Sequence, residues 1–209
     1  MERKTSLVEA KEIMGVSFIG PNELAKIANK MGIERPSEIP IIPFSPEELK
    51  NKKRDYILIL GISQMKNGEP LTLRTLRDQF GIDPDTSEPC FYNQDWYLKE
   101  EFINESLISH WYLLRKTLFN DSRGKNFEDL KELYSLPSAI LCAYTFFCNW
   151  FHAKEILWQY DFVWCKNTDH NKDQIYVGKY IDIAKINKNG FSIHRHLALR
   201  DFYGCIDAI

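Results

Sequence analysis

LPSAILCAYTFFCNWFHAKEILW, residues 136–158, decides the architecture, because the hydrophobic period changes directly after it. Pro137 suits a first helical turn, and the run is apolar on most faces, so it predicts a central, buried helix. Its apolar part, SAILCAYTFFCNWFHA (138–153), is too short and too interrupted to span a bilayer. From residue 161 the period switches to two. DFVWCKN (161–167), DQIYVGKYI (173–181) and FSIHRHLALRDFYGC (191–205) read as three closing strands. Upstream, YILILG (56–61) and WYLLRKTLF (111–119) read as strands, and LTLRTLRDQFG (71–81) as a helix between Thr72 as N-cap and Gly81 as stop. PCFYNQDWYLKEEFI (89–103) predicts an aromatic-rich turn leading into a short helix, and NFEDLKELY (126–134) another helix. The order predicts an α+β fold whose C-terminal strands supply the sheet.

Residues 5–32 are expected to be helical. Leu24, Ile27, Ala28 and Met31 fall at helical spacing after Gly20-Pro21-Asn22, and Gly32 closes the segment. A connector with prolines at 36, 40, 43 and 46 comes next, and Ser45-Pro46-Glu47-Glu48 opens a brief helix. The basic run Lys50 to Arg54 suits a solvated helix end before a strand. Two regions are therefore expected: residues 1–54, a helical N-terminal segment with a Pro-rich connector, and residues 55–209, the α+β domain. The first serves either as an appendage packed on the second or as an oligomerisation element.

The 209 residues carry 27 basic and 29 acidic side chains, a net charge of −2. That balance disfavours a dedicated double-stranded DNA binder without excluding nucleic acid. Five cysteines without regular spacing argue for free thiols in a reducing, cytoplasmic setting, with Cys142 and Cys148 as small core residues. No signal-peptide pattern and no membrane-spanning run is present. The phosphate-loop, dinucleotide, nucleophile-elbow and zinc-helix motifs are absent as well.

Two constellations carry chemistry. In WCKNTDHNKDQIYVGKY (164–180), Asp169, Asn171 and Asp173 occupy the first three ligand positions of a calcium loop. The sixth position holds Gln174 instead of Gly, and the twelfth Tyr180 instead of Glu. Asn and Asp also favour turns by bonding nearby backbone, so a polar hairpin tip competes with a divalent-metal loop. In the last segment, His194 and His196 share a strand face with Ser192, Ala198 and Arg200, opposite Phe191, Ile193, Leu197 and Leu199. That face is an ordinary polar surface, a ligand-contact surface, or a metal site completed by Asp169, His170 or Asp173. In FYNQDWY (91–97), tryptophan and tyrosine with hydrogen-bonded tips are expected in the core, and Asp95 has no base beside it.

Roughly residues 55–205 resemble bacterial and phage proteins of C-type-lectin-like fold, among them sulfatase-modifying-factor-like domains and the variable proteins of diversity-generating retroelements. TDHNKDQIYVGKY, AKINKNGFSIHRH and FYGC carry the resemblance, with PCFYNQDWYLKEEFI, HWYLLRK and LPSA upstream. It implies a mixed α/β domain with antiparallel C-terminal strands that display ligand-contacting side chains. The matching positions are Asn187, Asn189, Ser192, His194, His196 and Arg200. The glycine expected after the acidic run is replaced at Lys172 and Gln174, which weakens the calcium expectation. The paired cysteines of secreted lectins and the redox cysteines of the sulfatase-modifying enzymes have no counterpart.

The expectation is a non-catalytic binding module for a protein, peptide or glycan, with no cofactor beyond a divalent metal. Its class rival is a metal-dependent hydrolase or nuclease using Asp169, Asp173, His194 and His196. A structural accessory protein without pocket chemistry is a third reading.

Overall fold

The computed structural model describes residues 4–36, 38–181, 189–195 and 199–209. Asn187 and His196, both expected at the ligand surface, lie outside the described residues, as does Ala198.

The N-terminal segment is more broken than its helical spacing suggests. Ser6 caps α1 (Leu7–Met14) by accepting from the Glu9 N–H, and a 3-10 turn, Gly15–Ser17, ends it. Two residues, Phe18–Ile19, then form β1 before α2 (Pro21–Met31) begins. The interruption has a tertiary cause: Phe18 and Ile19 pair in parallel with Leu58 and Ile59 of β2 (Tyr56–Leu60). Between them lies α3 (Pro46–Lys52), capped by Ser45 as expected. All five residues of β2 are buried, as befits a central strand covered on both faces. The helix α4 (Leu73–Phe80) starts at the Thr72 cap, and β3 (Trp111–Arg115) completes a three-stranded sheet antiparallel to β2, from Tyr56 opposite Arg115 to Leu60 opposite Trp111. Between α4 and β3, the short helix expected within 89–103 is two 3-10 turns, Trp96–Lys99 and Glu101–Asn104. The helix expected at 126–134 shrinks to a single turn, α5 (Phe127–Leu130).

The expected central helix is α6 (Ala139–Ala153), buried at every position from Ala139 to Asn149. It packs against α2, α4, β1 and the second sheet. Burying a large apolar side chain contributes about 1.5–3 kcal/mol, and α6 supplies Ile140, Leu141, Phe146 and Phe147. Its first turn is held from outside: Asn167 Oδ1 accepts from the Ala139 N–H at 2.7 Å, and Ser138 Oγ from the Leu141 N–H.

The second sheet has the order β6-β5-β4-β7. Its members are β4 (Phe162–Thr168), β5 (Gln174–Gly178), β6 (Ser192–His194) and β7 (Tyr203–Gly204). The last expected strand, 191–205, is thus two short ones. β6 pairs antiparallel with β5, whereas β7 runs parallel to β4 on the far edge. The period of two sorts the side chains. Val163, Cys165, Ile175, Val177, Ile193 and Ile206 join the main core around α6. Phe162, Trp164, Tyr176, Tyr203 and Cys205 form a separate aromatic cluster on the outer face, partly roofed by Phe127, Leu130 and Tyr134. No helix among the described residues is long and apolar enough to cross a membrane.

Candidate functional site

Among the described residues, the outer face of the second sheet is left unroofed toward β6, and a cavity of about 450 Å³ opens there. Register builds its floor. Phe162, Gly178 and Ser192 lie side by side across β4, β5 and β6, and one pleat on Tyr176 stands opposite His194. Gly178 leaves a gap in the middle of the first row. Its φ of 130° is one that side chains rarely adopt, and a Cβ there would sit 2.6 Å from the Asp161 carbonyl oxygen. Lys179 comes next in the left-handed region at φ 55°, its N–H donating to the carbonyls of Trp158 and Asp161. A non-glycine residue held there costs on the order of 1–2 kcal/mol. The bend carries the Lys179 ammonium back over the sheet, 5.5 Å from the Phe162 ring centroid and 4.7 Å from that of Phe202. Arg200 stands over the Phe202 ring as well, at 6.0 Å. Gly190, at φ 142°, lets the opposite wall close, since a Cβ there would meet the backbone of Phe91 and Tyr92 at 2.5–2.6 Å.

His194 is the polar centre of this cavity. Its ring stacks on Tyr176 at 5.9 Å and meets Phe162 edge-on at 5.0 Å. Burial, helped by the charge on Lys179, pushes its pKa down to about 4, so the imidazole is neutral at pH 7. Gln94 fixes the tautomer. The Ile193 N–H donates to Gln94 Oε1 at 3.3 Å, which turns the Gln94 amide N–H toward His194 Nδ1, also at 3.3 Å. Nδ1 therefore accepts, and the ring proton sits on Nε2 as a donor. Ser192 Oγ donates to the Gly178 carbonyl, so its proton is already committed.

The hairpin tip between β4 and β5 does something different. Asp169 Oδ1 accepts from the N–H groups of Asn171 and Asp173, closing the turn on itself. Asp169 Oδ2 accepts from Arg195, whose guanidinium also reaches Glu100 Oε1 at 3.5 Å and lies over the Trp96 ring. His170 donates from both its backbone N–H and Nδ1 to Glu100. Burial alone would raise the Asp169 pKa, but the Asp173 N–H, Arg195 and the Asn171 N–H outweigh it and hold the carboxyl below the usual range. This network borders a larger, more polar cavity of about 770 Å³ with Lys99, Lys166 and Lys172 on its walls.

Of the residues expected at a ligand surface, Asn189, Ser192, His194 and Arg200 line the aromatic cavity together. Arg200 reaches it from the turn before β7, not by alternation along one strand as the sequence pattern predicts. Of the expected metal ligands, Asp169 is committed to the turn and to Arg195, and Asn171 is exposed. Among the described residues, the acidic and histidine side chains that come within 4.8 Å of one another as a group of three are Glu100, Asp169 and His170. His194 is not among them: it faces the outer cavity, while its neighbour Arg195 turns toward Asp169. Sequence reasoning misses Lys179, Phe202 and Tyr92. The signal that finds Lys179 is Gly178, a glycine interrupting an alternating strand just before a lysine.

No family model, no curated protein and no solved structure matches the chain.

Proposed function

We propose that this protein is a non-catalytic binding module whose ligand occupies the aromatic cavity on the outer face of the C-terminal sheet. One observation carries the reading: the cavity gathers ring faces, two cations and a neutral histidine, yet among the described residues no carboxylate lines it. Its volume of about 450 Å³ falls within the roughly 300–1,000 Å³ of small-molecule sites, which likewise combine apolar walls with a few polar groups. The chemistry favours binding over turnover. An imidazole with a pKa near 4 is a poor base at neutral pH, and the Ser192 proton is given to a backbone carbonyl. A C-type-lectin-like fold over residues 55–209 belongs to this proposal, supported by terminal strands that carry the cavity. So does a cytoplasmic setting, supported by five buried free thiols.

The test is thermal unfolding of the full chain against a panel of planar aromatic anions and their neutral analogues. A ligand bound only by the native state raises stability by about 2.7 kcal/mol at a hundredfold excess over Kd. Stabilisation in the wild type that disappears in Asn189→Trp, where the new ring fills the cavity, is the expected result. Stabilisation by no compound, or equal stabilisation of the variant, rejects the site.

A metal-dependent hydrolase is the second reading, favoured by the group Glu100, Asp169 and His170. The guanidinium of Arg195 already offsets one of the two carboxylate charges of that group and occupies oxygens of both, which weighs against a cation there. Unfolding after EDTA treatment, with Ca²⁺, Mg²⁺, Mn²⁺ or Zn²⁺ returned singly, separates the two: only the hydrolase requires a shift that Asp169→Ala removes.

A further inference from the structure

The two cations at the cavity are placed by independent means, Lys179 by the left-handed bend after β5 and Arg200 by the turn before β7. Both converge on one ring, Phe202. Among the described residues neither forms an ion pair with a carboxylate, whereas Arg77, Arg123 and Arg195 all do. A lysine and an arginine so placed over a common ring match a doubly charged group with several acceptor oxygens better than a single carboxylate. A phosphate monoester carries about −1.5 to −2 charges and three such oxygens. Behind the cations the cavity offers the half-buried Tyr92 ring, the Nε2–H donor of His194 and the Asn189 side chain, which suits a planar, hydrogen-bonding heterocycle.

We infer that the cavity takes a mononucleotide, its phosphate between Lys179 and Arg200 and its base on Tyr92 beside His194. The inference rests on the binding reading above and adds the ligand class. The phosphate supplies charge and the base supplies shape, so neither half alone fills the site. Counter-charge at the mouth also makes affinity fall as salt rises.

Titration calorimetry of the full chain with the four nucleoside 5′-monophosphates, in parallel with adenosine and with inorganic phosphate, tests it. The expected result is saturable binding of at least one mononucleotide, with adenosine and phosphate each at least about tenfold weaker, which is about 1.4 kcal/mol. Arg200→Ala and Lys179→Ala should each weaken the nucleotide by about tenfold or more. Arg200 is exposed, so its truncation leaves the fold intact. If mononucleotides fail while naphthalene-1-sulfonate or benzoate binds and is lost in Asn189→Trp, the nucleotide inference is wrong and the binding reading stands. If no planar ligand binds, both are wrong.

Discussion

The ammonium of Lys179 lies 4.7 Å from the centroid of the Phe202 ring, joining the end of β5 to the start of β7 across the mouth of one cavity. Two strands that never pair with each other are thereby fastened through a cation and a ring. The bend that positions Lys179 begins at the preceding glycine and is held by the Lys179 N–H on the carbonyls of Trp158 and Asp161.

Gly178→Ala is therefore expected to damage both fold and cavity. The added methyl would stand 2.6 Å from the Asp161 carbonyl oxygen and 3.1 Å from the Trp158 Cβ. With backbone strain added, the cost should be about 1–3 kcal/mol. Urea unfolding of the variant beside the wild type measures it, and an unchanged midpoint would contradict the tight approach.

His194 makes stability depend on pH in a defined window. Its pKa is near 4 when folded against an ordinary 6.5, so the unfolded chain binds the proton more tightly. Its contribution to stability is full above pH 6.5, falls as pH drops toward 4, and is fully lost below that. The loss from this residue should be on the order of 2–3 kcal/mol. Asp169, whose pKa is also depressed, loses its contribution only at lower pH, so the two can be told apart. Unfolding free energies at pH 7 and pH 4.5 should differ much less in His194→Gln than in the wild type.

Arg195→Ala should be among the costliest single changes outside the main core. Removing the guanidinium leaves Asp169, whose side chain is 0% exposed, and Glu100, at 5%, without their cation. Breaking such a pair costs about 3 kcal/mol or more. The double variant Arg195→Met with Asp169→Asn should recover part of the loss, and a double-mutant cycle by denaturant unfolding checks this.

Asn167→Ala tests the link between sheet and central helix. It removes the acceptor for the Ala139 N–H, along with the Asn167 Nδ2 bond to Glu105. A destabilisation of about 1–2 kcal/mol is expected, in the range of a lost helix cap. Faster amide exchange in the first turn of α6 should accompany it.

How much of the molecule is legible in the sequence depends on whether local pattern or distant pairing decides each element. The apolar run of α6, the caps at Ser45 and Thr72 and the alternation of β4 and β5 are local signals, and each marks a real element. Phe18-Ile19 reads as helical because only its pairing with β2, some forty residues away, makes it a strand. β7 merges with β6 into one long strand in the sequence because two residues carry no period, and its parallel seat on β4 is a tertiary outcome. Alternation finds Ser192 and His194, since they do share a face. It does not find Lys179 and Tyr92, because one depends on a left-handed bend and the other on the close approach at Gly190. The calcium-like spacing at Asp169, Asn171 and Asp173 is the spacing that closes an Asp-centred turn, with Asp169 accepting from residues two and four ahead.

The central claim is that the outer-face cavity is where this protein binds, and amide-resolved NMR tests it most directly. The protein is titrated in turn with naphthalene-1-sulfonate, a planar monoanion, and with each of the four nucleoside 5′-monophosphates. The account predicts saturable shifts confined to the amides of Gly178, Lys179, Gly190, Ser192, His194 and Phe202. Shifts centred on Glu100, Asp169 and His170, or no saturable shifts at all, would contradict it.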